Sequence, residues 1–182
     1  MLQQEEPTLR LLTADDIPLI ADYWLLSDSD FLIGMGVDLD KLPSREGLTN
    51  MLTQQLNLPD AEKASLAMIL EVDGKPVGHC NVNQITFGKE ATMHLHLWNT
   101  QHRQKGLGTT MVLKALPEFF NRLQLQTLWC EPYAHNPAPN KTLLKIGFEF
   151  IKTYVTIPGS LNFEQEVNRY QLTRERFEEI AL

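Results

Sequence analysis

Apolar residues along the first half of the chain change period several times, and each change marks an element. Residues 9–13 predict a short first strand. Thr13, with Asp16 three residues on, has the pattern of a helix cap. Ile17, Ile20, Ala21, Trp24 and Leu25 then recur at helical spacing and predict a helix over 14–26. Residues 27–43 break the pattern with Asp28, Asp30, Gly34, Gly36, Asp38 and Asp40, so a long acidic connection without regular structure is expected. Connections of that length are often functional. Ser44 caps a second helix that reaches about residue 56.

Strands follow. One covers 65–72, Asp73-Gly74 supplies a two-residue hairpin turn, 76–87 returns, Gly88-Lys89 turns again, and 90–98 completes an antiparallel meander. A helix over 107–123 presents Met111, Val112, Ala115, Leu116, Phe119 and Phe120 on one face. Residues 127–130 form another strand. Pro139 presets φ in the first turn of a short helix that Gly147 ends. Strands over 148–157 and 167–172 make a hairpin around Pro158-Gly159, and 173–180 forms a last helix. No repeat or Pro/Ser linker divides the 182 residues, so a single domain over 1–182 is expected.

Composition narrows the function classes. Hydrophobic residues at 43% and charged residues at 21% are ordinary for a globular protein. No apolar run approaches the ~20 residues of a membrane span, and 1–10 is too polar for a secretory leader. Cys80 and Cys130 sit in apolar runs, which indicates no disulfide framework and a cytoplasmic setting. A net charge of −7 disfavours nucleic acid as a partner and weakly favours cations such as amines. Neither a nucleic acid nor a membrane is expected as a partner.

The candidate chemistry begins at Arg103-Gln104-Lys105-Gly106-Leu107-Gly108-Thr109, between a strand and a helix. The first turn of a helix carries unpaired N–H groups and the positive end of the dipole, a setting suited to phosphate. Gly106 and Gly108 let backbone approach an anion, and Arg103 and Lys105 add charge at the mouth. A phosphorylated cofactor is therefore expected here. A plain P-loop is excluded because no G-x-x-x-x-G-K-[ST] occurs.

Two motifs together resemble the GNAT superfamily of N-acetyltransferases, which bind acetyl-CoA. Arg103-Gln104-Lys105-Gly106-Leu107-Gly108 looks like its R/Q-x-x-G-x-G/A pyrophosphate loop. Asn136-Pro137-Ala138-Pro139, followed by Leu143-Leu144-Lys145-Ile146-Gly147-Phe148, looks like the N-x-A-S…L-x-K-x-G-F stretch of the ribosomal-protein N-terminal acetyltransferase (RimJ/RimL-like) branch. Residues 169–175 also resemble that branch's closing strand. The resemblance covers essentially the whole chain. It implies an α+β fold, an α/β/α sandwich with a mixed, mostly antiparallel, splayed sheet of six to seven strands and about four helices. It also implies acetyl-CoA as co-substrate, a primary amine as acceptor, no metal, and a monomer or homodimer.

In this superfamily pantetheine inserts between the strand before the loop and the next one, here 93–98 and 127–131. Backbone near His96, Leu97 and Trp98 would then hold the arm. Gln104 to Thr109, including Leu107, would hold the diphosphate, and Asn136 would lie near the cofactor or its acetyl group. The glutamate that often serves as base falls at Thr92, which cannot do so. His94 and His96 share a strand face and have the ~6.5 unperturbed pKa of a base suited to an ammonium. His94 also matches a histidine of siderophore-type acyltransferases, which continue E-P-D-x-x-N; here Glu131-Pro132-Tyr133-Ala134-His135-Asn136 puts Tyr133 in place of the aspartate. The tyrosine that often acts as acid is Leu143, and the branch's serine is Pro139. Tyr133 is left as candidate donor to the leaving thiolate. Asp38 and Glu131 are expected on the acceptor side. His79, His94 and His96 also raise a zinc reading, but an alternating pair plus one neighbour falls short of three or four converging ligands. The sequence thus points to an acetyl-CoA-dependent N-acetyltransferase acting by direct attack of the amine. The alternatives are a non-catalytic acyl-CoA-binding module and a siderophore-type acyltransferase.

Overall fold

The computed structural model describes residues 6–103 and 106–181. Gln104 and Lys105, two of the expected cofactor contacts, lie outside the described residues. Seven strands, β1 (Thr8–Leu11), β2 (Leu66–Val72), β3 (Lys75–Thr86), β4 (Glu90–Leu97), β5 (Thr127–Cys130), β6 (Glu149–Thr156) and β7 (Gln165–Thr173), form one sheet ordered β1-β2-β3-β4-β5-β7-β6. Every neighbouring pair is antiparallel except β4 with β5. The Asp73-Gly74 turn has both residues at positive φ, 50° and 69°, which is what a two-residue hairpin needs to match strand twist.

Helices cover both faces. On one lies α4 (Leu107–Arg122), whose Met111, Val112, Ala115, Leu116, Phe119 and Phe120 are buried in one core with Met68, Cys80, Val82 and Met93 of the sheet. Full burial of each large side chain contributes about 1.5–3 kcal/mol, so this stripe anchors the helix and the loop before it. α5 (Pro137–Ile146) adds Leu143 and Ile146 to that core, and α6 (Arg174–Ile180) stacks Phe177 on Phe120 with centroids 4.5 Å apart. α1 (Ile17–Leu26), α2 (Ser29–Gly34) and α3 (Arg45–Leu56) lie on the opposite face, where Tyr23 of α1 meets His79 and His96. Ahead of α1, Thr13 donates its N–H to the Asp16 carboxylate, which also takes both terminal guanidinium nitrogens of Arg10 at 2.7 and 2.9 Å. Ser44 caps α3 as expected, accepting from Gly47 N–H.

One expectation is corrected. Residues 27–43 are not a structureless loop: they form α2 and a 3-10 turn at Leu39–Lys41. Asp28 caps α2 through Phe31 N–H. The segment is tied across the molecule to the β6–β7 connection. Asp38 N–H donates to Leu161 O at 2.8 Å, the Gln165 and Asn162 amides donate to Gly36 O, and Lys41 donates to Asn162 O. Those long-range bonds supply order that local propensity did not announce.

Candidate active site

The sheet opens where β4 and β5 part. Their register ends at Thr92↔Trp129 after three pairs. Past Cys130 the chain meets Pro132, which has no N–H to give a ladder. It follows β7 instead: Tyr133 bridges Val167, Ala134 N–H donates to Glu166 O, and Asn168 N–H donates to Pro132 O. β4 meanwhile stays on β3 as far as Leu97. The Cys130 thiol donates to Met93 O at 3.1 Å and closes the vertex of the resulting gap.

Strand alternation decides which β4 groups line that gap. Trp98 N–H donates to Val77 O, so Trp98, His96 and His94 turn their backbone polar groups toward β3. Met93, Leu95 and Leu97 turn theirs toward the gap. The expectation that backbone at Trp98 and His96 is open to a pantetheine arm is therefore corrected: those groups face β3, whereas Leu97, and Leu95, which the sequence reading missed, face the gap. The Leu97 carbonyl itself receives Arg103, whose guanidinium also lies 3.7 Å over the Phe31 ring of α2. Arg103 is thus directed at the end of β4 rather than at the loop mouth.

Several features of the loop fit a diphosphate. Gly106 sits at φ +77° as the residue before α4, and among the described residues no atom beyond its chain neighbours lies within 4 Å of where a Cβ would stand. The first helical bond is Thr110 N–H to Gly106 O, which leaves the N–H groups of Leu107, Gly108 and Thr109 ahead of it. A Cβ at Gly108 would make only ordinary contacts, 3.9 Å to Leu95 and 4.0 Å to Thr142, so the fold itself does not demand glycine there. The Leu107 side chain packs against the α4 core. The Asn136 side chain precedes α5 without capping it. In the turn before the loop, the buried His102 Nδ1 has no hydrogen-bond partner among the described residues.

A cavity of about 410 Å³ adjoins the gap, lined by His94, His96, Glu131, Tyr133 and Asn136 among others. His94 Nε2 pairs with Asn83 Oδ1 at 3.1 Å, which as a donor–acceptor pair puts the proton on Nε2 and the lone pair on Nδ1. Burial pushes its pKa down to about 4, against a smaller opposing pull from Glu131. His96 is held differently: its Nδ1 pairs with the Tyr23 hydroxyl at 3.0 Å, its ring stacks on His79 at 4.7 Å, and burial holds its pKa well below the usual histidine range. His79 accepts from Trp98 Nε1 at 2.7 Å and is pushed down to about 3 by burial. Among the described residues no group of three or more His, Cys, Asp or Glu side chains converges as a metal site.

The Tyr133 ring lies edge-on to His135 and Phe163, and among the described residues its hydroxyl has no hydrogen-bond partner. The turn carrying Tyr133 and Asn136 is pinned by Asn140, which the sequence reading missed. Its amide donates to Tyr133 O and Asn136 O, and its Oδ1 accepts from Asn168 Nδ2 and the Tyr170 hydroxyl, at 2.7–3.1 Å. A polar residue at the −3 position from Leu143 on the inward face of α5 was the available signal. Glu131 accepts from Arg169 at 2.7 Å and from the Tyr154 hydroxyl. Arg169 in turn lies 3.9 Å over the Trp129 ring. Asp38 does not line the cavity: its carboxylate caps the 39–41 turn through Asp40 N–H and lies 3.8 Å from Lys41 Nζ.

A splayed sheet beside a glycine-bearing helix start defines an acyl-CoA-type transferase site, and the comparisons agree. Residues 8–149 match the family model of the acetyltransferase (GNAT) domain, and the chain belongs to that family. Spermidine N-acetyltransferase from Vibrio cholerae, solved in complex with CoA and spermine, superposes with a TM-score of 0.77 at 18% identity, covering 94% of this chain and 98% of that one. The aminoglycoside acetyltransferase AAC(6')-Ib in complex with coenzyme A gives 0.72 at 20% identity, over 97% and 100% of the two chains. RimL, a ribosomal-protein alpha-N-acetyltransferase in complex with coenzyme A, gives 0.75 at 14%, over 93% and 95%. No curated protein sequence matches the chain. The ribosomal-protein branch is not singled out, because polyamine and aminoglycoside enzymes share the fold equally well.

Proposed function

We propose that the protein is an acetyl-CoA-dependent N-acetyltransferase acting on a primary amine by direct attack on the thioester. The observation that carries this is the gap between β4 and β5, with Leu95 and Leu97 backbone facing it and the start of α4 at its end. N–H groups at 107–109 hold the diphosphate, the gap-facing half-ladder of β4 takes the pantetheine amides, and Asn136 faces the thioester end. His94 is the group that accepts the proton. Its low basicity suits a late transfer, after C–N bond formation has made the attacking nitrogen acidic, rather than removal of a proton from a free ammonium. Asn83 fixes the tautomer, and His96 with His79 and Tyr23 serves as packing behind it. Tyr133 stands as donor to the leaving thiolate. Cys80 and Cys130 are buried and free, which suits a reducing compartment such as the cytoplasm.

His94→Gln is expected to lower kcat about 100-fold, with KM for acetyl-CoA unchanged. Because His94 is already neutral well below pH 6, kcat/KM of the wild type should rise with pH as the amine itself deprotonates, without an inflection near 6.5. Released thiol followed from pH 6 to 9 reads both. Coenzyme binding without thiol release from any amine would instead mark a non-catalytic acyl-CoA-binding module.

A further inference from the structure

The acceptor side of the cavity is almost free of charge. Its outer wall is Trp24 of α1, Met35 after α2, and Met51 of α3; its floor is Asn81, Asn83 and His94. Among the described residues the one formally charged side chain in the lining is Glu131, and its carboxylate already holds Arg169 and the Tyr154 hydroxyl. The acidic residues of 27–43 do not change this. Asp28 and Asp38 cap their own turns, and neither lines the cavity. The overall charge of −7 raises encounter rates with cations but supplies no paired carboxylate inside.

The reacting amine must be neutral to attack, so the site needs no counter-ion for that one nitrogen. Each further ammonium that enters must give up water with no counter-ion waiting, which is costly against a lining whose exposed surface is mostly apolar. Apolar surface on the same molecule is rewarded by the wall of Trp24, Met35 and Met51. We infer that the acceptor is a monoamine with an uncharged, apolar body, and that polyamines and aminoglycosides are excluded. This rests on the acetyl-transfer reading above and narrows it to one class of amine.

The test uses the full chain with acetyl-CoA and thiol release. One arm holds phenethylamine, tryptamine and leucine amide; a second, a short peptide with an uncharged apolar N-terminal residue; a third, spermidine, spermine and kanamycin. The first two arms separate a free small amine from a peptide terminus, and either one fits the inference. Expected is a kcat/KM about 100-fold higher for the better apolar arm than for any polycation. Met51→Glu, at an exposed position of α3, should shrink that ratio about tenfold through the KM of the amine, leaving the KM of acetyl-CoA unchanged. Equal or better turnover of spermidine or kanamycin overturns the inference. If no amine is turned over, the catalytic reading fails by itself. Calorimetry of the same amines on the coenzyme-loaded protein then decides the selectivity, with tighter binding of a polycation overturning it.

Discussion

A Gly106→Val protein should lose about 100-fold in affinity for acetyl-CoA while unfolding within a few degrees of the wild type. Gly106 holds φ at +77°, where an L side chain costs roughly 1–2 kcal/mol. That cost falls on the end of a loop, which relieves it by swinging to negative φ. The swing redirects the Gly106 N–H and the approach of the chain to α4, while the N–H groups of 107–109 stay with the helix, so the backbone donors no longer act together. Affinity suffers more than stability because α4 stays anchored through Leu116, Phe119 and Phe120, farther along the helix from the turn. Gly106→Asn is the matched control, since asparagine visits the left-handed region more readily and should keep more of the binding. Calorimetry with acetyl-CoA and a thermal melt separate the two effects. If the valine variant binds within about threefold of wild type, the loop conformation is not what grips the diphosphate.

Asn140→Ala is the second large effect, and it acts on stability first. The four groups that Asn140 satisfies are two backbone carbonyls, the Asn168 amide and the Tyr170 hydroxyl. Orphaned polar groups in a buried setting cost about 1–3 kcal/mol each, and water entering the new space recovers part of this. A net loss of about 3 kcal/mol in urea unfolding is expected. The surviving folded enzyme should also show a lower kcat, because the turn that aims Tyr133 and Asn136 has lost its pin. A loss below about 1 kcal/mol would mean that the turn is held chiefly by its β7 bonds, Ala134 to Glu166 and Asn168 to Pro132.

The fold was legible where local physics decides it. Asp73-Gly74 announces its hairpin, the apolar stripe of α4 announces its face, and Gly147 ends α5 at φ +115° as a helix-terminating glycine does. The segment 27–43 was not legible, because Gly36, Asp38 and Lys41 find their partners more than a hundred residues away at 161–165. The site divides along the same line. The loop at 103–109 and the shared face of His94 and His96 follow from residue type and period. The error at Trp98 came from leaving the phase of the strand unfixed, since one known bond on β4 settles which carbonyls look into the gap. The Arg103–Phe31 contact and the Asn140 network depend on tertiary proximity that no spacing encodes. Asp38 was misplaced for a related reason: a carboxylate before a turn serves that turn's N–H first.

The thiol at the vertex of the sheet carries a kinetic consequence. Cys130 lines the cavity at the vertex of the gap, yet burial pushes its pKa up to about 12 and its proton is given to Met93 O. It is therefore mute as a relay, and no acyl group can be parked on the protein there between substrates. With direct attack of the amine, donor and acceptor are expected aboard at the same moment, so double-reciprocal lines of initial rates should intersect instead of running parallel.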